Sequence, residues 1–168
     1  DGTLCTGGAV CIMMMQSGHN VWVSLLVALI AGLLAGMVTG LLHTFMGIPA
    51  ILAGILTQLG LYSVNLKIMG KSNQAINVDK FDLLVSLRYI KNVPIYRNTI
   101  LLVAVIIVVL IAFLYWFFGT ELGCSLRATG CNDRMSRAQG INTDFNRVLG
   151  LMISNGLVAF SGALLSQY

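Results

Sequence analysis

Charged residues are missing from three long stretches of this chain, and that placement decides what it can fold into. Apart from Asp1, every Lys, Arg, Asp and Glu lies between Lys67 and Arg147, which leaves residues 2–66, 98–120 and 148–168 uncharged. A bilayer core of about 30 Å takes roughly 20 mostly apolar residues of helix. Residues 101–118 are aliphatic or aromatic throughout and supply one span outright, while residues 2–66 hold two spans and part of a third. A soluble helix so uniformly apolar would need cover on every side, which 168 residues could hardly provide. Composition agrees: 57% of the residues are hydrophobic and 10% are charged, against about 25% charged in soluble domains.

Five hydrophobic segments follow, at 7–16, 21–45, 47–66, 100–118 and 147–168. The expected fold is all-α, a polytopic transmembrane helical bundle of about five membrane segments, including short or broken ones. In the second segment Gly32, Gly36 and Gly40 recur every four residues, so they share one helix face and let a neighbouring backbone approach closely. Pro49 opens the third segment and suits a first helical turn. Gln58 and Asn155 are amides at membrane depth, where polar groups face protein or a watery path rather than lipid. They are candidates for a substrate path or for interhelical hydrogen bonds. In the glycine-rich stretch at 3–9, Thr3, Gly7 and Gly8 are candidates for the same path. Backbone amides at a half-helix start can meet a solute carboxylate, and a purely structural role is an equal alternative.

The net charge of +4 does not indicate nucleic acid, because the basic residues fall in two inter-span loops without an aromatic-interleaved basic face. Neither cysteine pair, Cys5 and Cys11 or Cys124 and Cys131, has the spacing of a zinc site, so ordinary free thiols are expected. No G-x-x-x-x-G-K-[ST] motif is present, so the chain carries no nucleotide site of that type. The spans hold no ionisable residue in their interior, as a proton- or sodium-coupled transporter would need, and no nucleophile–base pair for an intramembrane enzyme. The chain also lacks an initiator Met and a polar tail after its last span, which suggests a fragment of a longer protein.

The two charged loops are residues 67–97, with six basic residues, and 119–147, with four. They cannot share a side, because one span separates them, and a plain basic count places 67–97 in the cytoplasm. In 67–97, Asp79 could cap an amphipathic segment at 80–91. In 119–147, Asn132 is a suitable N-cap, Asp133 suits the positive end of a helix, and Gly140 suits the C′ position. The predicted helix at 133–139 is too short to stand alone. Arg134 and Arg137 share a face beside Met135 and Ala138, which fits either a groove on a cytoplasmic protein or anionic headgroups.

The run LRATGCNDRMSRAQGINT at 126–143, followed by a small-residue-rich span, resembles the cytoplasmic loop of permease subunits of ATP-binding-cassette importers of the branched-chain amino acid and ribose type. That loop has the general form LRAxGxNxxxARxxGIN. The opening DGTLCTGGAV at 1–10 is similar to the DGTxxLGGAV stretch of the tryptophan- and tyrosine-type branch. The similarity covers the whole chain, and the loop motif is the more specific of the two. Ser136, Gln139, Cys131 and Cys5-Thr6 depart from the usual residues, which bears on substrate identity more than on subunit class.

The resemblance implies a permease domain in a bacterial cell membrane, with 119–147 as a cytoplasmic coupling loop and 67–97 outside. It implies Arg127, Gly130, Asn132, Asp133, Arg134, Met135, Arg137, Ala138 and Gly140 as the ATPase-coupling set. Within it, Arg134 and Arg137 contact the ATPase and Gly130 and Gly140 shape the helix ends. The implied partners are a cytoplasmic ATPase subunit, a second permease copy or homologue, an extracellular solute-binding protein and the bilayer. ATP and Mg would reside on the ATPase rather than on this chain. The implied solute is a small polar one, an amino acid of aromatic or branched-chain type. A secondary transporter or channel without an ATPase is the alternative.

Overall fold

A computed structural model describes residues 2–70 and 99–167. Among these residues the regular structure is entirely helical: α1 (Gly2–Gln16), α2 (Val21–Thr44), α3 (Ala50–Met69), α4 (Thr99–Phe118), α5 (Glu121–Cys131), α6 (Asp133–Ala138) and α7 (Thr143–Leu165). Helices α2, α3 and α7 are each long and apolar enough to cross a membrane. The apolar α4 meets α5 at an 80° bend, and the two count as one broken span if taken together. At about 1.5 Å per residue, the 15 residues of α1 fall short of a bilayer core. The polytopic helical reading therefore holds, short and broken segments included.

The core is the α2–α7 pair with α1 laid across it. Small residues hold it together, as expected where lipid supplies no hydrophobic drive between helices and close contact must come from packing. Gly32 faces Asn155, Gly156 and Ala159 of α7; Gly36 faces Leu151 and Met152; Gly40 faces Val148. This descending series makes the two helices antiparallel. A Cβ added at Gly36 would lie 2.7 Å from the Met152 Cα, so the glycine face is occupied by backbone. Helix α1 makes the same kind of contact, with Gly7 against the Ala159 backbone and Gly162 of α7 against Leu4. A buried cluster of Cys11, Met15, Leu25, Ala28 and Ala163 extends the core from this crossing. Helix α3 joins α2 through Thr39, whose Oγ1 donates to Thr57 Oγ1 at 3.0 Å. His43, in the last turn of α2, donates from Nδ1 to the Ile48 carbonyl at 2.8 Å.

Several boundaries differ from the sequence expectation. Pro49 is the N-cap of α3, with an extended ψ of 138°, rather than a first-turn residue. The first helix starts at Gly2, not at residue 7, and the last starts at Thr143, where the Asn142 side chain accepts from the Phe145 N–H at 3.2 Å. The largest correction concerns residues 119–147. They hold an eleven-residue helix, α5, ahead of the expected short one. Gly123, Gly130 and the Ser, Thr and Cys residues of α5 are weak helix formers, and α5 exists because it packs against α4 and α7. The segment expected at 80–91 lies outside the described residues.

Candidate functional site

Helices α5 and α6 and the first turns of α7 form one polar assembly at the end of the bundle. Its joints are side-chain caps, each occupying a backbone N–H that would otherwise lack a partner. Thr120 Oγ1 accepts from the Gly123 N–H at 3.4 Å, and Asn132 Oδ1 accepts from the Met135 N–H at 3.1 Å. Asn132 also ends α5, its own N–H donating to the Ala128 carbonyl. Gly140 has φ +82°, a conformation that costs other residues about 1–2 kcal/mol. It lets the Ile141 N–H turn back to the Ser136 carbonyl at 3.1 Å. Gly140 thus takes the expected C′ place. Gly130 does not shape a turn: it lies inside the last turn of α5 and its φ is not positive.

The six residues of α6 divide into two faces. Asp133, Ser136 and Arg137, at helical spacing, are tied to the protein. Ser136 is 3% exposed and donates to the Asn132 carbonyl. Asp133 Oδ2 accepts from Arg147 Nη2 at 2.9 Å, and Arg137 Nη2 donates to Thr143 Oγ1 at 2.9 Å and to Asp144 Oδ1 at 3.3 Å. The other face carries Arg134, Met135 and Ala138, all exposed, with Met135 at 60%. Arg134 makes no hydrogen bond or ion pair among the described residues, whereas Arg137 spends its guanidinium inside the chain. The two arginines expected to act alike therefore do different things. Arg127 stands apart, its guanidinium 5.7 Å from the Phe118 ring centre at the α4–α5 bend.

Four residues that sequence reasoning passed over complete the assembly. Asn146 of α7, 5% exposed, donates from Nδ2 to Ser125 Oγ at 2.9 Å and to Thr129 Oγ1 at 3.0 Å, both on α5. Ser125 and Thr129 stand four apart, so the signal was present but needed α5 to be read as a helix. Arg147 is the other omission, because its partner Asp133 is 14 positions away.

The residues proposed to line a path differ in what they do. Thr3, Gly7 and Gly8 lie buried within α1, and Gly7 and Gly8 are used in packing against Ala159 and Gly162 of α7 and its C-cap Ser166. From Gly7 onward the α1 amides are inside the helix, not at its start. Gln58 has an exposed side chain, and its backbone lies beside Gly2. Asn155 donates to its own helix, from Nδ2 to the Leu151 carbonyl at 3.0 Å. All four cysteines are free.

Comparison with known proteins agrees with this architecture. The family profile described as "Branched-chain amino acid transport system / permease component" matches residues 1–168. A "Tyrosine transport system permease protein" of Clostridioides difficile (strain R20291) is 38% identical over 168 residues, covering all of this chain and 54% of that protein. "Uncharacterized protein RP368" of Rickettsia prowazekii (strain Madrid E) is 36% identical over 169 residues, covering 99% of this chain and 56% of its own length. The chain thus spans about half the length of these relatives. No solved structure matches it. With a profile match along its whole length, the chain belongs to the family of branched-chain amino acid transport system permease components.

Proposed function

We propose that the protein is a membrane-spanning permease subunit of an ATP-driven importer of a small polar solute, an amino acid of aromatic or branched-chain type, with tyrosine the first to test. In this reading it sits in a bacterial cell membrane, pairs with a second permease copy or homologue, and receives solute from an extracellular binding protein. A cytoplasmic ATPase subunit supplies the energy and holds the ATP and Mg. The tyrosine reading draws on the C. difficile relative. The observation that carries the coupling role is the divided surface of α6. One face is fastened to the chain, and the other presents Arg134 and Met135 to the exterior. A short helix fixed from behind, with an apolar side chain beside an unpaired guanidinium, is suited to a groove on a partner protein. Desolvated Arg and apolar anchors dominate the energetics of such contacts.

The test is the double substitution Arg134→Glu and Met135→Glu in the complete transporter. Neither side chain has a described partner within the chain, so membrane insertion should persist. Tyrosine uptake into proteoliposomes should fall about tenfold or more, with the ATPase bound less tightly, as for loss of an interface hot spot. Unchanged uptake in the double variant would remove α6 as the coupling element.

A further inference from the structure

We propose that Arg147 is a positioning residue which, with Asp133, Asp144 and Arg137, clamps α6 to α7 at both ends so that the two move as one lever. The inference rests on the reading of α6 as the element that meets the ATPase, and it adds how movement of α6 would reach the spans. A helix of six residues does not hold its own shape or direction. The connection from α6 to α7, residues 139–142, would by itself act as a hinge. The ion pairs act on that hinge from two points. At the first residue of α6, Asp133 Oδ2 lies 2.9 Å from Arg147 Nη2. At the fifth, Arg137 Nη2 lies 3.3 Å from Asp144 Oδ1 and 2.9 Å from Thr143 Oγ1. Arg147 joins the two points, because its Nη1 also lies 3.9 Å from Asp144 Oδ1. One attachment would let α6 pivot; two fix both its position and its direction.

The charges suit their places. Two cations meet two anions, and each aspartate sits in the first turn of its helix, where the backbone dipole favours an anion. Asp133 Oδ1 is buried without a hydrogen-bond partner, so Arg147 is the only described cation that compensates this carboxylate. Single exposed ion pairs contribute little, but linked pairs that restrict one short element contribute more. The clamp also reaches the packed core directly. Val148, next to Arg147, lies against Gly40 of α2, and that contact leaves no slack for α7 to slide before α2 responds.

The test uses the full-length protein assembled with its ATPase and solute-binding protein, with tyrosine uptake per ATP hydrolysed as the readout. Arg147→Gln should lower that ratio about fivefold or more, the scale of a modest coupling between sites, while hydrolysis continues. Arg147→Lys keeps a cation for Asp133 but loses the fork that also reaches Asp144, so it should lower the ratio clearly less than Arg147→Gln does. Equal losses in the Gln and Lys variants would overturn a positioning role for the charge. Amide hydrogen exchange gives a measure independent of solute. In Arg147→Gln and in Asp133→Asn, the α6 amides should exchange about fivefold faster, with α2 unchanged. Unchanged exchange in α6 would overturn the clamp whether or not tyrosine is imported. A wild-type assembly that imports no tyrosine would count against the proposed function instead, and exchange would still decide on the clamp.

Discussion

Asn146 shows what a single polar side chain does at the end of this bundle. Its amide gives both hydrogens to α5 hydroxyls. The acceptors are themselves satisfied: Thr129 Oγ1 donates to the Ser125 carbonyl at 2.8 Å and Ser125 Oγ to the Leu122 carbonyl at 3.3 Å. A buried network with every donor used holds two helices in register, and a partly broken one costs more than no network at all. Asn146→Ala removes both donors and leaves two hydroxyls facing a gap. The expected loss is about 1–3 kcal/mol, read as a lowered unfolding temperature of the purified protein in detergent. An unchanged transition would mean that α5 is held by its contact with α4 alone. Arg137 teaches a related lesson about reading residue types. Spacing put Arg134 and Arg137 on one face, about 60° apart around the helix, and at that separation their side chains can still take different partners. The neighbouring Thr143 and Asp144 were enough to engage the second arginine, which stays exposed while bonded to them.

At the scale of elements, what could be read in advance and what could not follow from how each helix is stabilised. Helices α2, α3, α4 and α7 are legible because an uncharged apolar run of that length has one stable state in a bilayer, whatever it packs against. The glycine face of α2 is legible for the same reason, since a four-residue spacing is a property of one helix. Helix α5 is different. Its residues carry little helix preference, and it is held by Thr120, by the α4 bend and by Asn146, none of which lies within its own pattern. The Asp133–Arg147 pair is likewise a tertiary fact. Legibility therefore stops where stability begins to come from a neighbour. The glycine face also supplies an internal comparison. A methyl group at Gly36 would meet backbone of α7, whereas one at Gly54 of α3 would meet no atom within 4 Å. Gly36→Ala should cost about 1–3 kcal/mol, because the helices must separate. Gly54→Ala should not destabilise, and should leave stability unchanged or raise it by up to about 1 kcal/mol. Thermal unfolding of the two variants side by side checks this, and equal effects would count against the close α2–α7 contact.

For the molecule as a whole, the unresolved tension is between charge and architecture. Residues 67–97 hold six basic residues and 119–147 hold four, so the basic count puts the first loop inside. The proposed coupling role of α6 needs the other orientation. Two of the four basic and two of the three acidic residues in 119–147 are paired in the α6–α7 clamp, so that part of the loop is built structure and not a solvated charge cluster. Exposed Tyr115 and Trp116 at the end of α4 suit a membrane–water boundary. With that boundary, the proposed role has the 80° turn into α5 carry the assembly along the membrane surface. If α6 meets a cytoplasmic ATPase, this surface is the inner one and residues 67–97 are outside. Exposed Cys5, Cys124 and Cys131 would react with a thiol probe, so they are first replaced by serine. In that background a membrane-impermeant maleimide should label Ser72→Cys in intact bacteria and Gln139→Cys only after permeabilisation. The reverse pattern would place α6 outside, beyond reach of any ATPase, and the proposed function would fall with the orientation.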